Sequence, residues 1–243
     1  MKLDNKNILV TGANRDIGAA IVRELLKHKV GKVYVSARKP GGLSDFGDKR
    51  VAHIALDITD RNQVSAAANV AQDTHILINN AGTLNAVGII DGALEAITSD
   101  MNTNYYGTLA MMQAFAPVLQ KNRPGLIANV ISLVGLAPVL VIGGYSASKA
   151  ALHSATQSAR GELAKRGIRV VGIYPGPIDT DMARGFEMDK TSPQATAQAI
   201  IAGIIADDDY IFPDSMSKDI GQKWLQDPVG IEKQFASMFA EGE

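Results

Sequence analysis

The chain has 243 residues, a length that fits one large α/β domain or two small ones. With 46% hydrophobic residues, 20% charged residues and a net charge of −1, it has neither the basic excess of a nucleic-acid-binding protein nor the acidic tail of a disordered one. Cysteine is absent, which excludes disulfides and thiolate metal sites, and the four scattered histidines lack metal-ligand spacing, so we expect no metal. No signal-peptide pattern opens the chain, and polar residues interrupt its one long uncharged stretch. We therefore expect a cytoplasmic protein without a membrane segment.

Short apolar runs alternate with helical patterns along the chain. Strands are predicted at 8–11, 32–36, 51–56, 75–79, 126–131, 168–174 and 210–212, and helices at 17–29, 61–72, 99–121, 145–165 and 194–205, with further helical patterns near the C-terminus. The strands are apolar throughout, as in a parallel sheet covered by helices on both faces. Neither a repeat nor a linker divides the sequence. The pattern predicts a single α/β domain over residues 1–243, with a Rossmann-type doubly wound parallel sheet of about seven strands.

A glycine-containing loop lies between the first strand and the first helix. Gly12 and Gly18 allow a sharp turn and the close approach of a pyrophosphate, while the helix N-terminus offers N–H groups and a positive dipole end. Asp16 places a carboxylate in this loop, where it would repel a pyrophosphate. We interpret Asp16 as a cap of the first helix, a position where Asp is favoured.

The end of the second strand indicates which dinucleotide is bound. NAD-binding sheets place an acid there to hold the ribose 2′-OH, whereas this chain has Arg38 and Lys39. Arg38 can hold a 2′-phosphate with its fork of N–H donors, and Arg15 in the first loop can reach the same phosphate. A solvated turn is the alternative. Two cations and a missing acid favour NADP(H).

Tyr145 and Lys149 are four residues apart in a predicted helix, which puts them one turn apart on the same face. The ordinary pKa of tyrosine, about 10, is too high for a base at neutral pH, but a nearby ammonium favours the phenolate and lowers that pKa. We expect Lys149 to tune Tyr145 in this way, so that the phenol exchanges a proton with an alcohol or a carbonyl. A purely structural pair is the alternative, because this spacing is common.

Together these motifs resemble those of the short-chain dehydrogenase/reductase family, in the family's order, from Thr11 to about Thr180. The first loop is similar to the family's Thr-Gly-x-x-x-Gly-x-Gly, with Asp16 in place of the middle glycine. The resemblance implies a carbonyl reductase-like oxidoreductase. It also implies a set of residues that bind the cofactor: Gly12, Asn14, Arg15, Ile17, Gly18, Arg38, Asp57, Ile58, Asn80, Ala81, Gly82, Tyr145, Lys149, Pro175, Gly176, Ile178 and Thr180.

Several of these residues take a specific role from the resemblance. Asp57 would bond the adenine amino group and Ile58 would contribute its backbone, although a plain turn explains Asp57 equally. Lys149 would bond the nicotinamide ribose hydroxyls. Ile178 and Thr180, in the loop that opens with a Pro-Gly pair, would contact the nicotinamide carboxamide.

The resemblance also completes a catalytic set. Ser132, thirteen residues before Tyr145, would donate a hydrogen bond to the substrate oxygen and stabilise developing charge. Asn104 would hold a water through its backbone carbonyl, in a proton relay to Lys149. The predicted catalytic residues are therefore Ser132, Tyr145, Lys149 and Asn104.

The segments that should enclose the substrate are apolar, which favours a hydrophobic ketone, aldehyde or secondary alcohol. They contain Leu84, Val87, Leu136, Val139, Ile142, Met182 and Phe186. A non-catalytic NADP-binding regulator on the same fold is an alternative favoured by Asp16, and a C=N reductase is another. An alanine-rich helix face with Ala147, Ala151, Ala155 and Ala159, together with the resemblance, predicts a homodimer or homotetramer.

Overall fold

A computed structural model describes residues 1–39 and 46–238. Seven strands and eight α-helices lie in these ranges. The strands are β1 Ile8–Val10, β2 Val33–Ala37, β3 Val51–Ala55, β4 Ile76–Asn79, β5 Gly125–Val130, β6 Ile168–Ile173 and β7 Tyr210–Ile211. The helices are α1 Asp16–Leu26, α2 Arg61–Val70, α3 Leu94–Asp100, α4 Thr108–Lys121, α5 Gly143–Ala164, α6 Pro193–Ala206, α7 Ser215–Gln226 and α8 Pro228–Met238.

All seven strands form one parallel sheet in the order β3-β2-β1-β4-β5-β6-β7. The order reverses between β1 and β4, so the connections leave the sheet in opposite directions on the two sides of that point. Ligands of such sheets bind in the crevice beyond the carboxyl ends of the strands at this reversal. The predicted Rossmann-type doubly wound sheet is confirmed, and its crevice lies beside the loop that follows β1.

Apolar side chains on the two faces of the sheet form two separate cores. Helices α1 and α6 cover one face and contact each other, with Ile21, Leu25 and Ile200 fully buried. Helices α2, α4 and α5 cover the other face, around Phe115 and Leu119. Because the central strands are buried on both faces, they carry apolar residues at nearly every position rather than alternating ones.

The helix predicted over 99–121 differs from the observed structure. Helix α3 ends at Asp100, a π-helical segment spans Met101–Gly107, and α4 continues from Thr108 through Pro117 to Lys121. A π-helical turn adds a residue to the ring that each hydrogen bond closes, which changes the backbone without interrupting the apolar pattern. The other predicted helices and strands are confirmed to within a few residues.

A third apolar cluster lies beyond the carboxyl end of the sheet. It joins Leu133, Tyr145 and Tyr174 to Ile220 of α7 and Ile231 of α8. The two C-terminal helices thus pack beside the edge of the sheet where the candidate site lies. Among the helices of residues 1–39 and 46–238, none is both long enough and apolar enough to span a membrane.

Candidate active site

The loop after β1 brings its backbone close to the loop after β4. Gly12 has a φ of +63°, and a Cβ at this position would lie 2.8 Å from the Cα of Ala81. A Cβ on Gly18 would collide with the Gly12 carbonyl oxygen. Both glycines are therefore required by the turn itself, and the close packing leaves the start of α1 facing the crevice.

Asn80 and Thr11 fasten these two loops together. The Thr11 hydroxyl accepts the backbone N–H groups of Asn80 and Ala81, each at 3.0 Å. The Asn80 amide donates to the carbonyl oxygens of Thr11 and Gly12, also at 3.0 Å. Asn80 thus fixes the backbone of the loop, and Gly82, two residues on, is exposed beside it.

The structure contradicts the interpretation of Asp16 as a helix cap. The N-cap position of α1 belongs to Arg15, whose side chain makes no capping bond, and Asp16 is the first helical residue, with a left-handed φ of +51°. Its carboxylate accepts the backbone N–H of Asp181 instead, and burial raises its pKa. A side chain at the first helical position does not reach the N–H groups that an N-cap satisfies, so the start of α1 has no side-chain cap.

Arg15 bridges two segments of the site. Its guanidinium pairs with Asp181, and it lies 3.6 Å from the Asp16 carboxylate. Asp181 also pairs with Arg184. Arg38 is exposed at the end of β2, so both predicted phosphate ligands lie at the carboxyl edge of the sheet.

The side chain of Asp57 forms a hydrogen-bonded turn just after the end of β3. Its Oδ1 accepts the Thr59 backbone N–H at 2.9 Å and the Thr59 hydroxyl at 2.7 Å. Ile58 is buried, and its side chain lies against Gly107 at the end of the π-helical segment. Oδ1 of Asp57 therefore forms the plain turn that was the alternative to a bond with the adenine amino group.

Ser132, Tyr145 and Lys149 come together at the ends of β5 and the start of α5. The Ser132 hydroxyl lies near the Tyr145 phenol and favours a lower pKa of that phenol. The Ser132 hydroxyl also lies 3.4 Å from the carbonyl oxygen of Pro175. Lys149 Nζ lies 5.6 Å from the centre of the Tyr145 ring and donates to the carbonyl oxygen of Val130 at 2.9 Å. The three predicted side chains thus form one cluster.

The expected lowering of the Tyr145 pKa by Lys149 is wrong. Burial raises the pKa of the Tyr145 phenol above its ordinary value, and the nearby Ser132 hydroxyl opposes this only in part. Burial also lowers the pKa of Lys149 to about 8, with Asp100 acting in the opposite direction. Desolvation is therefore the largest influence on both groups, and Tyr145 is protonated at neutral pH.

Asn104 is fully buried in the π-helical segment. Its amide donates to the Thr83 carbonyl oxygen and to the Ser148 hydroxyl, and its Oδ1 accepts the Thr83 N–H, all at 2.9 Å. The side chain therefore anchors the segment after β4. The predicted role of the Asn104 backbone carbonyl stays a prediction.

The loop after β6 closes the other side of the site. Leu133 N donates to the Pro175 carbonyl oxygen at 3.1 Å, and Gly176 N donates to Asp214 Oδ2 at 2.8 Å. Asp214 is also the N-cap of α7. Ile178 is buried and Thr180 half-buried, so this loop is held by both the Ser132 turn and a C-terminal helix.

An apolar surface adjoins the Tyr145 phenol. Five of the seven predicted wall residues belong to the cluster that contains Tyr145: Leu84, Leu136, Val139, Ile142 and Phe186. Met182 is 38% exposed at its rim. Within residues 1–39 and 46–238, the His, Asp and Glu side chains form no group of three that could hold a metal.

Four residues of this site escape sequence reasoning: Asn85, Asp100, Asp181 and Asp214. Asp100 and Asn85 occupy a helix and a loop where polar residues are ordinarily solvated, and the sequence gives no sign that they meet. Asp214 carries a weak signal, since an Asp followed three residues later by Ser217 is typical of a capping arrangement.

Comparisons with known proteins agree with this fold. Residues 6–191 match the model of the short chain dehydrogenase family. An uncharacterised oxidoreductase of Staphylococcus aureus strain MW2 is 32% identical over 210 residues, which cover 82% of this chain and 90% of the relative. A short chain dehydrogenase from Burkholderia cenocepacia J2315, solved in complex with NADP, is 36% identical, with a TM-score of 0.92 over 97% of this chain and 99% of that one.

A more distant structure shares the fold. The 3-ketoacyl-(acyl-carrier-protein) reductase from Brucella melitensis, complexed with NADH, is 23% identical, with a TM-score of 0.80 over 87% of this chain and 97% of that one. The family match begins just before β1, includes Ser132, Tyr145 and Lys149, and ends in the segment after β6. This chain belongs to the short-chain dehydrogenase family.

Proposed function

We propose that the protein is an NADP(H)-dependent oxidoreductase that interconverts a carbonyl and an alcohol by hydride transfer. The observation that carries the proposal is the grouping of Tyr145 and Ser132, with Lys149 one helical turn away, at the carboxyl edge of a doubly wound sheet. This cluster provides a proton donor, an oxygen-orienting hydroxyl and a cation, and the side chains of Tyr145 and Lys149 are buried from bulk water.

The crevice fits a dinucleotide. Gly12 and Gly18 leave no room for a Cβ where the backbone turns, and the start of α1 lacks a side-chain cap, so its N–H groups favour an anion there. Arg38 follows β2 in place of the acid that would hold a ribose 2′-OH. The B. cenocepacia relative was solved with NADP, which supports the same cofactor here.

The cofactor, when bound, supplies the hydride, and the residues of this chain bind, orient and protonate. Among the remaining predicted cofactor residues, Asn14, Asp57, Gly82 and Thr180 belong to loops on the carboxyl side of the sheet, and Ile17 lies in the first turn of α1. Ser132 orients the substrate oxygen, and Tyr145 Oη gives its proton to that oxygen during reduction. Because burial raises the Tyr145 pKa, its proton is in place for reduction at neutral pH.

The apolar cluster around Tyr145 supports a hydrophobic substrate. Leu84, Leu136, Val139, Ile142 and Phe186 lie in this cluster, and they would bury the substrate's carbon skeleton while Ser132 and Tyr145 bind its oxygen. A hydrophobic ketone, aldehyde or secondary alcohol meets both conditions.

The proposal is tested by following NADPH and NADH oxidation with a panel of aromatic and aliphatic ketones and aldehydes. We expect turnover with NADPH in the wild type and a loss of at least about a hundredfold in Tyr145→Phe, the low end of what a positioned acid contributes. Tyr106→Phe is the matched control, because Tyr106 is 52% exposed and outside the cluster, and it should retain wild-type activity.

Asp16 favours a second candidate, a non-catalytic NADP-binding regulator, because it adds a negative charge where the loop that would hold a pyrophosphate joins α1. NADPH binding without turnover on any carbonyl of the panel, or on imines added to it, would move the assignment to this regulator. Turnover with imines alone would make the protein a C=N reductase, and absence of binding would refute the cofactor assignment.

A further inference from the structure

A buried carboxylate that the proposed chemistry does not use lies beside the site. Asp100, the last residue of α3, is fully buried. Asn85 holds this carboxylate through its backbone N–H, 3.2 Å from each carboxylate oxygen, and through its side-chain amide, 2.8 Å from Oδ1. A buried carboxylate is costly unless it is bonded and offset by a positive charge, so this one calls for an explanation.

Asp100 and Asn104 anchor the same stretch of chain. Asn104 binds Thr83 through both its amide donor and its oxygen, while Asp100 binds Asn85. At Gly82, the residue before this stretch, an added Cβ would lie 3.0 Å from Asn104 Oδ1 and 3.6 Å from Lys149 Nζ. The stretch Thr83–Asn85 is therefore bonded to both Asn104 and Asp100, and Gly82, just before it, lies close to the ammonium of Lys149.

The charges around Asp100 are few. Burial raises the pKa of Asp100, and the hydrogen bonds from Asn85 and the charge of Lys149 on α5 oppose that shift. Helix α5 also contributes the titratable Tyr145. The stretch 82–90 contributes no ionisable side chain, and Glu95 on α3 itself is exposed. Asp100 in turn raises the pKa of Lys149 and of Tyr145. Its negative charge therefore favours the ammonium form of one and the phenol form of the other.

We propose that Asp100, held by Asn85, is a positioning residue that keeps Lys149 charged and Tyr145 protonated for carbonyl reduction and fixes the stretch Thr83–Asn85 against them. This inference rests on the proposed reductase function. It assigns Asp100 no contact with substrate or cofactor, and its effect passes through Lys149 and Tyr145.

The test is the pH profile of kcat/KM for NADPH-dependent carbonyl reduction in the wild type and in D100N. Because Oδ1 of Asp100 accepts both the backbone and the side-chain N–H of Asn85, an amide oxygen placed there preserves these bonds while the charge is lost. Without that charge the pKa values of Lys149 and Tyr145 fall. The loss of activity with rising pH therefore begins at a lower pH in D100N than in the wild type. We expect the alkaline limb to move down by roughly one pH unit, the low end of the effect of a nearby charge.

Two control variants separate charge from structure. Glu95→Gln removes the same charge from the exposed surface of α3, where solvent screens it, and should leave the alkaline limb in place. Asp100→Glu keeps the charge and should restore the wild-type limb even if its KM changes. An alkaline limb that is the same in D100N and in the wild type would overturn the proposal.

Failure of the proposed function is recognised separately. If the wild type binds NADPH but turns over no carbonyl, the pH dependence of NADPH affinity replaces kcat/KM, because Lys149 is predicted to bond the nicotinamide ribose. As the pH rises, the NADPH affinity of D100N should begin to fall at a lower pH than that of the wild type. Identical curves of affinity against pH for the two proteins would refute the role of Asp100. If D100N does not fold, Asp100→Ser, a smaller uncharged side chain, takes its place with the same expected shift.

Discussion

At the scale of single residues, burial decides the chemistry of the candidate site more than pairing does. Tyr145 and Lys149 have the spacing of an acid and its cation, yet desolvation raises the Tyr145 pKa and lowers that of Lys149 to about 8. Spacing along a helix can be read from a sequence, whereas the depth of a phenol below the surface depends on residues distant in the chain. The identity of the cluster was therefore predictable, and the direction of the Tyr145 pKa shift was not.

Cofactor preference is also a property of one residue. We expect Arg38→Ala to weaken NADPH binding by about 10- to 100-fold, the range for a charge-assisted hydrogen bond to phosphate. NADH binding should be unchanged, because NADH lacks the 2′-phosphate. Titration of protein fluorescence with each cofactor measures both affinities.

A charge-matched control accompanies this variant. Arg166 is exposed in the turn that follows α5, and Arg166→Ala should leave both affinities unchanged. Equal loss of NADPH and NADH affinity in Arg38→Ala would show that Arg38 supports the fold of the loop and does not read the 2′-phosphate.

At the scale of elements, apolar runs and helical periodicity predict the strands and most helices, because parallel strands buried on both faces are apolar at nearly every position. The π-helical segment 101–107 was missed, since its apolar spacing continues that of α4. Asp16 was assigned to the wrong position because a shift of one residue along a helix start exchanges a capping residue for the first helical one. Asp100 was missed because burial of a polar residue at a helix end leaves no mark on the sequence.

The first loop can be tested as an element. Gly12→Ala introduces a Cβ at a φ of +63° and 2.8 Å from the Cα of Ala81. We expect a loss of about 1–3 kcal/mol in the free energy of unfolding and at least a tenfold loss of NADPH affinity, which is about 1.4 kcal/mol. Urea denaturation and cofactor titration measure the two effects.

Gly161→Ala is the matched control for the loop variant. Gly161 is exposed in α5, its φ is not positive, and an added Cβ has no neighbour within 4 Å. The substitution should stabilise the protein by up to about 1 kcal/mol through helix propensity. Wild-type stability and cofactor affinity in Gly12→Ala would contradict the requirement for glycine in the turn.

At the scale of the whole molecule, the two halves of the alanine-rich face of α5 differ in how much of their surface is available for assembly. Ala155 and Ala159 pack against the core of this chain, whereas Ala147 is exposed and Ala151 half-buried. The alanine-rich face thus serves the chain's own core over its second half and is open over its first half. We propose that the open half packs against a second copy of the chain, giving a homodimer or homotetramer.

Light scattering after gel filtration tests this assembly. We expect a mass of two or four chains for the wild type and a smaller assembly for Ala151→Arg, because a long charged side chain prevents close helix packing. Ser65→Arg, at an exposed position of α2, is the control and should keep the wild-type mass. A monomeric wild type would refute the assembly.

The bridge between Arg15 and Asp181 has a kinetic consequence. It joins segments that follow β1 and β6, two strands that β4 and β5 separate in the sheet. Both side chains are substantially exposed, and an exposed ion pair contributes only about 0–1 kcal/mol. Thermal motion therefore breaks this ion pair easily. The pair holds the segments after β1 and β6 together while it is formed, but it adds little to the barrier for ligands that enter or leave the crevice.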